Sequence, residues 1–193
     1  RLHEVFCLPH EKKIVLFQGG LSAGRNLEML VDAMRYVQNP SVVLVVLGDG
    51  ILLRRLQKMA RQEGLTGRVY FHAAVPQNEL LALTAAADAG IIPYQATCLN
   101  NRYCTPNKMF EFIAAGLPIL ATDLPEIRCL VERYLFGLVG DTSSSKKLAL
   151  LLDDFFSDDR RFANWKSNVA LARKLVCWEK EERKLVEIYE AFQ

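Results

Sequence analysis

Short runs of Val, Ile and Leu alternate with longer amphipathic stretches along this chain, a pattern that predicts successive β-α units feeding a parallel sheet. Strands are expected at residues 14–18, 42–47, 69–72, 89–92, 118–121 and 137–139. Between the first two, Leu27, Leu30, Val31, Met34 and Val37 recur on one helical face, and Asn39-Pro40 stops that helix because a residue before proline is pushed out of the α region. Further helices are expected at 52–63, ending at Gly64, at 78–86, at 107–115, ending at Gly116, and at 126–132. After the last strand, Asp141-Thr-Ser-Ser-Ser reads as a turn and helix-cap cluster, and the chain from Lys146 onward reads helical. Leu148, Leu151, Leu152 and Phe155 stripe one helix, Phe162, Trp165, Val169 and Ala172 the next, and Trp178, Leu185, Ile188 and Phe192 the last. A helical tail is therefore expected to close the domain.

The 193 residues, 51% hydrophobic and 24% charged, suit one compact domain spanning 1–193, and no repeat, low-complexity stretch or linker divides them. A formal charge of +2 is too mild to imply nucleic acid or an anionic membrane as main partner, so an anion site must be local. No apolar run approaches the roughly 20 residues of a membrane span, and residues 1–10 lack a signal peptide's apolar stretch. The five cysteines are odd in number, scattered and without a Cys-x-x-Cys pair, which fits a reducing cytoplasm. His3, His10 and His72 stand far apart with no ligand at metal spacing, so no metal is expected; Cys98 and Cys104 read as two free thiols in or beside a loop.

Three segments carry candidate chemistry. Phe17-Gln-Gly-Gly-Leu-Ser-Ala-Gly-Arg25-Asn26 joins the first strand to the first helix. Gly19, Gly20 and Gly24 allow a tight turn and close backbone approach, the following helix offers free N–H groups to an anion, and Arg25 adds a forked phosphate contact; the alternative is a plain turn with a solvated arginine. The spacing is neither Gly-x-Gly-x-x-Gly nor a P-loop. The second segment runs from Pro93 through a polar loop into a helix at Pro106, where backbone donors, Asn107 and Lys108 could converge on phosphate. Glu111 lies one turn on and either forms an exposed pair with Lys108 or accepts hydrogen bonds from two sugar hydroxyls. The third comprises Leu47-Gly48-Asp-Gly50, read mainly as a tight turn, and the loop around Val75, where a base could stack.

Taken in order, Gly-Gly-Leu-Ser-x-x-Arg-x-Leu, Leu-Gly-Asp-Gly, Val-x-Phe-x-x-x-Val-Pro-x-x-x-Leu, Ala-Ala-Asp-x-Gly-x-x-Pro and Pro-Asn-Lys-Met-Phe-Glu-Phe-x-Ala-Ala-Gly-Leu-Pro resemble the C-terminal domain of family 4 (group 1) retaining glycosyltransferases of the GT-B fold, and the closing Cys-Trp-Glu resembles that family's ending. The resemblance covers nearly the whole chain. It implies an α/β, Rossmann-like parallel sheet of about six strands flanked by helices, forming the nucleotide-sugar half of a two-domain enzyme whose acceptor-binding N-terminal domain supplies the other cleft wall.

It also implies that Glu111 grips the ribose of a nucleoside diphosphate and that Arg25 binds its diphosphate, with Lys108 and the amides near Thr105 assisting. Gly19, Gly20, Gly48, Val75 and Asn107 complete the candidate donor-binding residues. Arg25 and Lys108 become the candidates for stabilising the leaving diphosphate without a metal or other cofactor, while the acid–base group belongs to the partner domain. Such enzymes transfer a sugar with retention, in polysaccharide or glycoconjugate synthesis, in the cytoplasm or at the inner face of the cytoplasmic membrane. Gly20 stands where many members carry an arginine, and Tyr103 where they carry the first glutamate of a Glu-x7-Glu pair, which reads as specialisation. Two alternatives stay open, an inactive nucleotide-sugar-binding regulatory or assembly domain and a GT-B-like epimerase. A redox dinucleotide domain is disfavoured by the glycine spacing and by the lack of an acidic residue ending the second strand.

Overall fold

The computed structural model describes residues 2–192. A short helix α1 (Leu2–Val5) precedes β1 (Lys13–Gln18), α2 (Leu27–Ala33), β2 (Val42–Leu47), α3 (Leu53–Gln62), β3 (Val69–His72), α4 (Gln77–Thr84), β4 (Ala89–Ile92), α5 (Leu99–Tyr103), α6 (Asn107–Ala115), β5 (Ile119–Thr122), α7 (Pro125–Tyr134) and β6 (Gly137–Gly140). Three helices follow, α8 (Ser145–Phe155), α9 (Asp159–Ala172) and α10 (Trp178–Glu190). All strand pairs are parallel, in the order β3-β2-β1-β4-β5-β6. The expected α/β class and all six strands are thus present.

The central strands read as continuous apolar runs because helices cover both faces of the sheet: every residue of β2 and all but the first of β1 are buried. Helix α6, which carries three of the candidate site residues, seats closely on β4 because Gly90 has no side chain. A Cβ there would lie 2.3 Å from the ring of the fully buried Phe112.

Four local features depart from the sequence pattern. α1 was not legible as a helix at all. The expected helix through Val37 ends at Ala33, and the chain continues through tighter turns in which the Met34, Arg35 and Tyr36 amides bond to carbonyls three residues back. Met34 and Val37 stay buried, so the apolar periodicity reports the buried face rather than the helix end. The polar stretch read as a loop contains α5, whose cap is the Cys98 Sγ accepting from the Asn101 amide at 3.5 Å, a cap that no Ser, Thr or Asp announces.

The last departure concerns the tail. α8 and α9 pack as expected, with Phe155 stacked on Trp165 at 4.8 Å between centroids. α10 buries none of its residues, and Trp178, Leu185, Ile188 and Phe192 are 45–84% exposed. Its stripe is present, but a stripe names an apolar face and not what covers it. All five cysteines are free thiols. No described helix is long and apolar enough to cross a membrane.

Candidate functional site

The strand order reverses between β1 and β4, so the loops leaving their C-terminal ends diverge and open a crevice, the place where open α/β sheets bind ligands. The floor is built from two glycine loops packed backbone to backbone. The Gly19 amide donates to Leu47 O at 3.0 Å and the Leu21 amide to Asp49 O at 2.9 Å. Gly48, at φ +143°, lies so close beneath that a Cβ would stand 2.0 Å from Gly19 O. Gly48 is therefore buried under the β1–α2 loop, and its glycine serves that close approach.

Two cations face this floor. The Arg25 guanidinium lies over the buried Tyr94 ring, 4.3 Å from its centroid, and Lys108 Nζ lies 3.6 Å from the Phe17 centroid and 5.1 Å from that of Tyr94. An ideal Cβ on Gly19 would meet Lys108 Nζ at 3.6 Å, which puts the ammonium directly beside the glycine turn. Lys108 is buried, and among the described residues its ammonium has neither an ion-pair partner nor a hydrogen-bond acceptor. Burial and the nearby Arg25 charge push its pKa down to about 7, against the pull of Glu111. Burial also raises the Tyr94 phenol, which Arg25 opposes. A ring face returns about 1–2 kcal/mol to a cation, less than the several kcal/mol that full loss of its water costs, so the rings offset only part of the burial of Lys108.

Glu111 is held differently from either sequence expectation. It forms no ion pair with Lys108; its Oε2 accepts from Gln18 Nε2 at 2.5 Å. Gln18 Oε1 in turn accepts from the Thr84 hydroxyl at 2.8 Å, and that hydroxyl also reaches Leu80 O at 2.7 Å. Gln18 ends β1, Thr84 ends α4 and Glu111 sits in the middle of α6, so this chain of polar groups ties three elements together beneath the crevice.

α6 begins at Pro106 with no side-chain cap, so its first amides, including those of Asn107 and Lys108, are not covered by a capping side chain. The structure brings Gly19, Arg25, Lys108 and Glu111 together. Asn107 is exposed at the start of α6, and Thr105 is exposed just before it. Gly20 is exposed with no neighbour within 4 Å of an ideal Cβ, and Val75 is half-buried in the β3–α4 connection on the far side of β2. None of these four is linked to the cation pair by a hydrogen bond or ring contact. Sequence reasoning missed Phe17, Gln18, Thr84 and Tyr94 as site-building residues. Gln18 carried a signal, as the only polar residue in Ile14 to Gln18, an otherwise apolar run. Among the described residues, no group of three or more His, Cys, Asp and Glu side chains is arranged to hold a metal ion.

A parallel doubly wound sheet whose switch-point crevice presents two unneutralised cations, an open helix N-terminus and a tethered carboxylate defines a Rossmann-like domain suited to an anionic, hydroxyl-bearing ligand. Residues 1–171 match the family model described as glycosyl transferases group 1, and the chain belongs to that family. It is 25% identical over 197 residues to a D-inositol 3-phosphate glycosyltransferase of Xylanimonas cellulosilytica, covering 97% of this chain and 44% of that protein. A putative colanic acid biosynthesis glycosyl transferase of Escherichia coli, WcaI, is 33% identical over 109 residues, covering 56% of this chain and 26% of that protein. The chain thus spans less than half the length of these relatives. Among solved structures, Anabaena HepE in complex with UDP and glucose superposes with a TM-score of 0.82 at 20% identity, covering 98% of this chain and 51% of that one, which shows a shared fold.

Proposed function

We propose that residues 1–193 form the donor-binding half of a glycosyltransferase that moves a sugar from a nucleoside-diphosphate sugar to an acceptor. The observation that carries this reading is the pair Arg25 and Lys108, two basic side chains with no ion-pair partner among the described residues, both against Tyr94 at the switch point. Membership of the group 1 family supports sugar transfer. The chain's share of its relatives, 44% of the first, supports a further domain that forms the opposite wall and brings the acceptor.

In this reading the diphosphate lies on the Gly19 turn and the α6 N-terminus, between Arg25 and Lys108, and Glu111 accepts from the ribose hydroxyls. In the reaction the bond from the anomeric carbon to the diphosphate oxygen breaks and its electron pair stays on the diphosphate. A bond from the acceptor oxygen to the anomeric carbon forms, and the acceptor proton passes to a base on the other wall. Arg25 and Lys108 stabilise the charge that accumulates on the leaving group, which is preorganised electrostatic catalysis and calls on no metal. Retention of anomeric configuration follows the resemblance to family 4 members. A role in polysaccharide synthesis is supported by relatives named for colanic and teichuronic acid biosynthesis.

The test is calorimetric titration of the intact protein with UDP, GDP and their sugars, in parallel with Arg25→Ala and Glu111→Ala. Binding of one nucleotide, weakened by both substitutions, is expected. Binding that neither substitution changes would move the donor site elsewhere.

A further inference from the structure

From the polar chain that crosses β1, α4 and α6 we infer that Gln18 and Thr84 are positioning residues for Glu111, and that through it they set the site's selectivity for a ribose with free hydroxyls. The inference rests on the reading of Glu111 as the ribose-holding carboxylate and extends it to two residues that touch no ligand.

Gln18 is 1% exposed and Thr84 fully buried, so neither side chain can exchange its partners for water. The direction of the hydrogen bonds is set from one end. A carboxylate can only accept, so Gln18 must turn its amide Nε2 toward Glu111 and its Oε1 toward Thr84. That oxygen then requires a donor, and the Thr84 hydroxyl is the one within reach. The hydroxyl has a single proton and two acceptors, Gln18 Oε1 and Leu80 O, and the latter also serves the α4 helix. Committing the proton to Gln18 locks the amide's orientation and, with it, one carboxylate oxygen of Glu111.

The consequence is geometric. With Oε2 tethered to the end of the central strand, Oε1 of the half-buried Glu111 is left for a ligand, and the tether holds the carboxylate away from an ion pair with Lys108, three residues earlier on α6. Lys108 is thereby kept free for phosphate while Glu111 is kept free for hydroxyls. Without the tether the two opposite charges, three residues apart on one helix, would neutralise each other and remove both halves of the recognition.

The experiment measures affinity of the intact protein for UDP and for 2′,3′-dideoxy-UDP by calorimetry, in the wild type, Glu111→Ala, Gln18→Met, Thr84→Val and Thr84→Ser, with thermal melts to confirm folding. Glu111→Ala is expected to abolish the preference for UDP. Gln18→Met and Thr84→Val are expected to lower it roughly tenfold, the loss of about one charge-assisted hydrogen bond, by weakening UDP and leaving the dideoxy ligand nearly unchanged. Thr84→Ser, which keeps the hydroxyl, restores the wild-type ratio. A general packing defect would weaken both ligands alike and would overturn the inference. So would an undiminished preference in both Gln18→Met and Thr84→Val when Glu111→Ala has lost it. An undiminished preference in Glu111→Ala itself would overturn the ribose reading and the inference with it.

Discussion

Raising the pH from 7.5 to 9 is expected to weaken nucleoside-diphosphate binding by about 25-fold, and the cause is Lys108. In the free protein its pKa is pushed down to about 7, so the ammonium is already the minor form at pH 7.5 and falls to about 1% at pH 9. A diphosphate beside it reverses this. One negative charge at about 4 Å, at an effective dielectric of about 20, is worth about 4 kcal/mol, or about 3 pKa units, which lifts the bound lysine to about 10. Binding therefore takes up a proton above pH 7. The sign follows from linkage: the complex holds a proton that the free protein has released, so affinity falls as pH rises. The ratio of protonated fractions at the two pH values gives about 25-fold, close to 2 kcal/mol. The window lies above the second ionisation of the nucleotide, so ligand titration does not imitate it. The assay is calorimetry in buffers of different ionisation enthalpy, which counts protons taken up, on the wild type and Lys108→Met. The wild type should take up about one proton per nucleotide at pH 8.5 and Lys108→Met none, with a flat affinity profile. Equal slopes in the two proteins would refute this account of Lys108.

Arg25→Ala is expected to reduce affinity for the diphosphate by about 10- to 100-fold, the range for loss of a charged hydrogen bond, read by the same calorimetry. Gly48→Ala should destabilise the fold by about 3 kcal/mol in urea denaturation, because a Cβ would lie 2.0 Å from Gly19 O at a φ that L residues rarely adopt. Chelation with EDTA is expected to leave nucleotide affinity unchanged; a drop that added Mg²⁺ restores would contradict a diphosphate held by Arg25 and Lys108 alone. The product anomer, read by proton NMR once an acceptor is in hand, should match that of the donor, and an inverted product would refute retention.

The six strands were legible because a sheet covered on both faces leaves continuous apolar runs between Gly, Pro and Asp signals, as in Val42 to Leu47. Glu111 and Lys108 were legible by motif, but their relation to each other was not. Spacing along α6 suggests a surface pair, whereas the carboxylate is claimed by Gln18 from another element, and no local rule reports a partner 93 residues away. The π contacts of Lys108 with Phe17 and Tyr94 are hidden for the same reason, since three separate segments meet only at the switch point. α5 lacks an apolar stripe and a conventional cap, so neither periodicity nor capping chemistry marks it. α10 has its stripe, yet lies with that face open, because periodicity is blind to the partner surface.

Arg25 and Lys108 are proposed to hold the diphosphate of a nucleotide sugar while Glu111 holds its ribose. The most direct measurement is a crystal structure of the intact protein with a bound nucleoside diphosphate. Phosphate oxygens are expected within hydrogen-bond distance of the Arg25 guanidinium and Lys108 Nζ, above Gly19, with a ribose hydroxyl donating to the Glu111 carboxylate. A nucleotide bound elsewhere, or one whose phosphates leave both cations untouched, would contradict it.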